Sequence, residues 1–236
     1  EALSYYEHVL DIYLQQQKTP LHWLVSVSGD IAKIYLNYNH NYDAALRYQL
    51  MSHEYELKSN VIHRTDNTDD ICGKKNSTAM SLKKLSDIYI KLGQYDSAYK
   101  NMMAAVKLFE EVLQSPDVRD TLQETIDTKL TLANICVKLC QYDLACEHLK
   151  SATQICQGRP RFNEEKCKIA DISMKVSQGY AELQQSDQAY QCLVSALSVY
   201  RDINTAQYES RKRITRAVNG RIQRHQLKCT IVYVTE

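Results

Sequence analysis

Cys136 and Cys140 stand four residues apart, with Cys146 and His148 a short way on. Thiolates at that helical spacing share a face and can serve as zinc ligands. The same spacing suits core positions, and "TLANICVKLCQYDLAC" carries Leu132, Cys136 and Leu139 at steps of four and three. We read these sulfurs as small core side chains and expect neither a metal nor a cofactor. The seven histidines (His8, His22, His40, His53, His63, His148, His225) cluster neither with acids nor with one another in a catalytic pattern. No phosphate loop, dinucleotide fingerprint, nucleophile elbow or zinc-protease motif is present. The expectation is a protein that is not an enzyme.

Composition narrows the classes further. Of 236 residues, 29 are basic and 28 acidic, a near balance that argues against bulk attraction to nucleic acid or anionic membrane. No apolar run approaches the roughly 20 residues that span a bilayer. Six glycines and three prolines beside 44% hydrophobic residues point to an ordered, mostly helical chain. The eight cysteines sit mostly within apolar helical patterns. That suits free thiols in a reducing compartment, and hence a cytoplasmic protein.

The elements are marked by a returning phrase: "NYDAAL" at 41–46, "QYDSAY" at 94–99, "QYDLAC" at 141–146 and "QSDQAY" at 185–190. With Ala2 added, its alanines Ala45, Ala98, Ala145 and Ala189 fall at intervals of 43, 53, 47 and 44 residues. Seven residues after each come Val9, Ser52, Ala105, Ala152 and Ala196. Similarity at such periods marks a solenoid whose units bury a face against their neighbours. Upstream of each phrase runs a helical stripe: Ile31 and Tyr35, then Leu82, Leu85 and Tyr89, then Leu132 and Cys136, then Val176 and Tyr180. Each unit therefore reads as two antiparallel helices joined by a tight turn, with Gly93 as the left-handed residue ending one first helix. Asp43, Asp96, Asp143 and Asp187 stand where the second helices begin, placed to accept from unpaired N–H groups and to favour the positive helix end. The tyrosine before the aspartate is expected to pack back over its own helix pair. Trp23, beside His22, is expected to anchor the first full unit.

These positions resemble the tetratricopeptide repeat family. Its spaced residues appear as Leu82, Leu85, Ser86, Tyr89, Ala98, Met102 and Ala105, then as Leu132, Ala133, Cys136, Ala145, Leu149 and Ala152. They return as Val176, Ser177, Tyr180, Ala189, Leu193 and Ala196, so that the likeness covers about residues 1–200. The family's tryptophan and terminal proline are absent, and its usual interval is about 34 residues. The longer units look more like those of kinesin light chain and related scaffolds. The implied fold is all-α, a right-handed solenoid of antiparallel helix pairs, a superhelix of about four and a half repeats.

The expected division is an unpaired second helix of a truncated repeat at 1–16, a first repeat at 21–58 and a polar surface loop at 59–76. Repeats at 77–114, 118–157 and 162–203 follow, then a basic capping helix at 205–228 and a tail at 229–236. A chain that starts within a unit and without Met is expected to be a piece of a larger protein.

In the resembling family, first helices line a groove that holds an extended peptide or a partner helix. Carried over, that register makes Lys33, Lys83, Lys84, Asp87, Lys91, Thr131, Asn134, Lys138, Lys175 and Gln178 the groove candidates, with Asp30, Asp127, Asp171 and Glu182 beside them. Asn134 falls where related scaffolds hold a peptide backbone through an amide. Asp87 and Gly29 stand where a clamp for chaperone tails would need Asn and Lys, so no such clamp is implied. The lysines suit a peptide with acidic residues around an apolar anchor.

Two alternatives have their own signals. The helix at 1–16 suits a structural segment of a larger assembly that uses the solenoid edges. Arg211, Lys212, Arg213, Arg216, Arg221, Arg224 and Lys228 could dock an acidic partner or nucleic acid.

Overall fold

The structure, a computed structural model, describes residues 2–16, 19–63, 67–113, 119–157 and 159–201. Among these, nine α-helices follow in order: α1 (Ala2–Gln15), α2 (Leu21–Ile34), α3 (Tyr42–Ile62), α4 (Thr68–Lys91), α5 (Tyr95–Val112), α6 (Arg119–Lys138), α7 (Tyr142–Cys156), α8 (Asn163–Glu182) and α9 (Ser186–Arg201). They form two compact units that divide between Thr128 and Lys129, within α6. In the first unit α1 packs on α2, α2 on α3, α3 on α4 and α4 on α5. In the second, α7 packs on α8 and α8 on α9. The basic stretch at 205–228, with Arg211, Lys212, Arg213, Arg216, Arg221, Arg224 and Lys228, and the tail at 229–236 lie outside the described residues.

The repeated alanines show why the phrase returns. Ala45, Ala98, Ala105, Ala145, Ala152 and Ala196 are wholly buried and Ala189 nearly so, at places where helices approach too closely for a larger side chain. Ser52 takes the corresponding place in α3, and its hydroxyl donates to the Val25 carbonyl at 2.8 Å. Two more serines bridge a pair. Ser86 donates to the Ala98 carbonyl at 2.8 Å, and Ser177 to that of Ala189 at 2.9 Å. Around them the stripes are buried: Leu85, Ile88, Met102 and Phe109 in the first unit, Leu132, Cys136, Ile169 and Val176 in the second. Burying such a side chain contributes roughly 1.5–3 kcal/mol.

The turns share one design. Gly93 has φ of 72°, and His40, Cys140 and Gln184 take the same left-handed conformation at 51°, 57° and 61°. In three turns paired bonds close the helix end: Gly93 N–H to the Ile90 carbonyl and Gln94 N–H to that of Tyr89, with Cys140–Gln141 and Gln184–Gln185 repeating the pattern. The first turn has one residue more, eight from Tyr35 to Asp43 where the others have seven from Tyr89, Cys136 or Tyr180. The added residue is absorbed as a π-helical turn, Tyr35–Asn39.

Several expectations are corrected. The aspartates do not cap the second helices. Asn41, Gln94 and Gln141 occupy the cap positions, and the Asn41 side chain accepts from Ala44 N–H at 3.1 Å. Asp43, Asp96 and Asp143 stand within the first turn, where their charge favours the positive helix end. Tyr142 stays beside Cys140 in its own turn and also reaches the next pair. Its ring occupies the space that a Cβ on Gly179 of α8 would need, and lies tilted against Tyr180 with ring centroids 5.4 Å apart. Trp23 is no buried anchor, being 45% exposed and resting on Tyr13 of α1. Cys140 lies beyond the end of α6, so it shares no helix face with Cys136.

The expected loop at 59–76 is mostly helix, because α3 runs to Ile62 and α4 starts at Thr68. Its polar residues carry the helix where an apolar stripe is missing. Asn67 accepts from Asp69 N–H, Asp69 and Asp70 sit in the first turn, and Lys74 pairs with Asp70 at 2.8 Å. Lys75 reaches Glu111 of α5 at 2.7 Å, and Ser77 donates to the buried Glu56 of α3. Helix α1, expected to be unpaired, buries Leu10 against Leu24 and Ile31. Its Glu7 accepts from Tyr35 at 2.8 Å, and Tyr5, Ile12 and Leu14 remain exposed.

Candidate functional site

In the first unit, two first helices and one second helix enclose a pocket of about 430 Å³. Helix α2 contributes Val25, Ser26, Gly29, Asp30 and Lys33; α3 contributes Gln49 and Ser52; α4 contributes Lys84, Asp87 and Ile88. Gly29 lies on the wall, where an added Cβ would stand 3.4 Å from the Ser52 hydroxyl, at ordinary contact distance. Gln49 is 4% exposed and brings to the floor an amide that can both donate and accept. Lys33, Lys84, Asp30 and Asp87 supply two charges of each sign. Desolvation raises the carboxyl of Asp87 above its ordinary value, against the opposing pull of Lys83 and Lys91.

Three of the expected groove residues, Lys33, Lys84 and Asp87, thus meet around one cavity. Lys83 does not join them, because its ammonium is engaged by Glu124 of α6 at 2.6 Å. Lys91 is exposed in the last turn of α4, close enough to act on Asp87. In the second unit the candidates are not gathered. Thr131 is half-buried on α6, Lys138 is exposed at its end, and the Asn134 amide turns back to the Leu130 carbonyl at 3.2 Å. Lys175 and Gln178 are exposed on α8, where Gln178 donates to Glu182 at 3.2 Å.

The second unit has a pocket of another kind, about 260 Å³, between two second helices and one first helix. Asp143, Cys146, Glu147 and Lys150 of α7 face Tyr180 of α8 and Gln188, Gln191 and Cys192 of α9. Tyr180 donates to Asp143 at 2.6 Å, and the sulfurs of Cys146 and Cys192 are 3.4 Å apart. Sequence reasoning missed this pocket because groove candidates were sought on first helices. Only the presence of a cysteine on each second helix hinted at it, and 46 residues separate the two. The hydrogen bond from Cys192, with help from Tyr180 and Lys150, holds the Cys146 thiol down to about 7 against burial and Asp143. That same bond, and burial, push Cys192 up. Among the described residues no three His, Cys, Asp or Glu side chains group as metal ligands. No described helix is long and apolar enough to cross a membrane.

A sequence model of the tetratricopeptide repeat matches residues 84–111, which span the turn from α4 into α5. No curated protein matches the chain. Among solved structures, the nearly identical TPR-like repeats of a kinesin light chain protein from Podosopora anserina superpose with a TM-score of 0.57 at 15% identity, covering 89% of this chain and 87% of that one. BtubC of P. vanneervenii covers 89% of this chain and 88% of its own at 14% identity, with a TM-score of 0.43. A Rap protein complexed with competence and sporulation factor covers 96% of this chain and 58% of its own at 14% identity, with a TM-score of 0.47.

Proposed function

On the premise that the chain is an all-α solenoid of tetratricopeptide-like helix pairs, a fold that typically serves protein–protein interaction, we propose a non-catalytic scaffold or adaptor. Its ligand is a peptide segment or partner helix lying along the first helices. The observation that carries this reading is the pocket between α2, α3 and α4. It is large enough for one apolar anchor side chain, with ammonium groups of Lys33 and Lys84 at its wall for flanking acids. Asp30 and Asp87 can accept peptide N–H groups, and Gln49 can hold a backbone amide through both its atoms. A cytoplasmic setting goes with the cysteine usage.

The test is a peptide-display selection against the full chain, run beside Lys33→Glu/Lys84→Glu. A shared motif of acids around an apolar residue should emerge, and the variant should bind it at least about tenfold more weakly, a change of roughly 1.4 kcal/mol. Lys83→Glu, whose lysine is already engaged, should bind nearly as well as the parent. If nothing is enriched, or the double variant retains the motif, the groove reading is wrong. A second reading, a structural segment of a larger assembly, is favoured by the exposed Tyr5, Ile12 and Leu14 of α1.

A further inference from the structure

Cys146 and Cys192 are brought together by the fold alone. Their sulfurs, on α7 and α9, stand 3.4 Å apart beside an open pocket. Both line that pocket, Cys146 half-buried and Cys192 8% exposed. Three other described thiols, Cys136, Cys156 and Cys167, differ. Cys136 and Cys156 are wholly buried, and burial pushes the Cys136 thiol up to about 11. Burial also raises Cys167.

We propose that Cys146 and Cys192 form a reactive dithiol site, which a peroxide converts into a disulfide stapling α7 to α9. The Cys146 thiolate attacks one peroxide oxygen and the O–O bond breaks. Hydroxide leaves, takes the proton released when the thiol ionised, and becomes water, while Cys146 becomes a sulfenic acid. The Cys192 sulfur then attacks the sulfenic sulfur, breaking its S–O bond. The departing hydroxyl takes the Cys192 proton as a second water. Two thiols have lost two electrons and two protons, and one peroxide has been reduced to two waters.

Geometry supports both steps. The pocket admits a small oxidant to Cys146, and Lys150 and Tyr180 stand by as a charge and a donor. The sulfurs must close from 3.4 Å to about 2.05 Å, a movement of about 1.4 Å. Cys192, with its sulfur 3.4 Å away, is within reach to resolve the sulfenic acid before a second peroxide arrives, and its proton leaves with the displaced hydroxyl. In a reducing compartment such a bond is transient, which fits a reversible staple between neighbouring second helices. The bond would restrain α9 against α7 and so stiffen this unit.

The full chain, treated with equimolar hydrogen peroxide near neutral pH, quenched with N-ethylmaleimide and mapped without reduction, gives the answer. The expected product is one dominant linked peptide pair containing Cys146 and Cys192, released by dithiothreitol. In Cys192→Ser, dimedone should trap Cys146 as the sulfenate; in Cys146→Ser, Cys192 should stay reduced. A Cys146 that remains a thiol, that stops at sulfenate in the parent chain, or that links chiefly to exposed Cys140 would overturn the proposal. The parent-chain map stands without either variant, so a variant that misfolds does not protect the idea.

Discussion

The two pockets are built from the same helix pair and differ in which helices enclose them. The pocket of α2, α3 and α4 is formed by two first helices and one second, and its chemistry is ammonium, carboxylate and amide. The pocket of α7, α8 and α9 is formed by two second helices and one first, and its chemistry is thiol, phenol and carboxylate. The repeat sets the alanines, the serine bridges and the left-handed turns in both. It leaves free the residues between those positions. A solenoid thus keeps one backbone while its surfaces diverge, because packing constrains the small residues at close approaches and the buried stripes but not the positions between them.

The largest expected break falls on the thiol pocket. Gly179→Val would force a side chain into the space that the Tyr142 ring occupies. We expect about 3 kcal/mol of destabilisation in thermal or urea unfolding, together with loss of the Cys146–Cys192 cross-link. Peptide binding at the charged pocket should change little. Retained stability and cross-linking would show that Tyr142 does not depend on that glycine.

The next test separates the units from the other side. Burial alone would lift the Glu56 carboxyl, yet hydrogen bonds from His53, Ser77 and Ser81 outweigh it and hold it below its ordinary value. Glu56→Gln should therefore cost about 2 kcal/mol at neutral pH. A depressed folded pKa contributes stability above the unfolded value, near 4.3, and loses it as pH falls through the folded value. The gap between parent and variant should narrow below about pH 4 in urea melts. A gap that widens on acidification would contradict the hydrogen-bonded carboxylate.

Gly93→Ala should lose about 1 kcal/mol, since its φ of 72° penalises any Cβ while nothing nearby would touch one. Cys140→Gly and Gln184→Gly should each gain a few tenths of a kcal/mol in the matching turns, the freer unfolded chain offsetting most of the relief. The smallest effect is kinetic and sharpens the contrast in chemistry. Iodoacetamide should modify Cys146 at a rate that rises with pH through about 7 and then levels, faster than Cys136 at every pH. A profile still climbing well above 8 would remove the assisted thiolate.

Much of this fold could be read from the residues. Alanines at 45, 98, 145 and 189 and the stripes through Tyr89, Cys136 and Tyr180 mark the helix pairs, since packing periodicity is written in side-chain size. Lys33, Lys84 and Asp87 were legible as surface by the same register. The segment from 59 to 76 was not, because its helix rests on caps and ion pairs such as Asn67 and Lys74–Asp70, which leave no apolar stripe. Nor did the register show that Lys83 would be taken by Glu124, 41 residues away.

The sequence by itself determined the repeating helix pair, its tight turns and the absence of known catalytic motifs, all of which depend on neighbours within a few residues. Only the tertiary structure decided which lysines share a cavity, which way Tyr142 leans, and that Cys146 meets Cys192 across 46 residues. Those contacts depend on how one helix pair lies on the next. That distance is bridged by the summed packing of many side chains, and no single residue carries it.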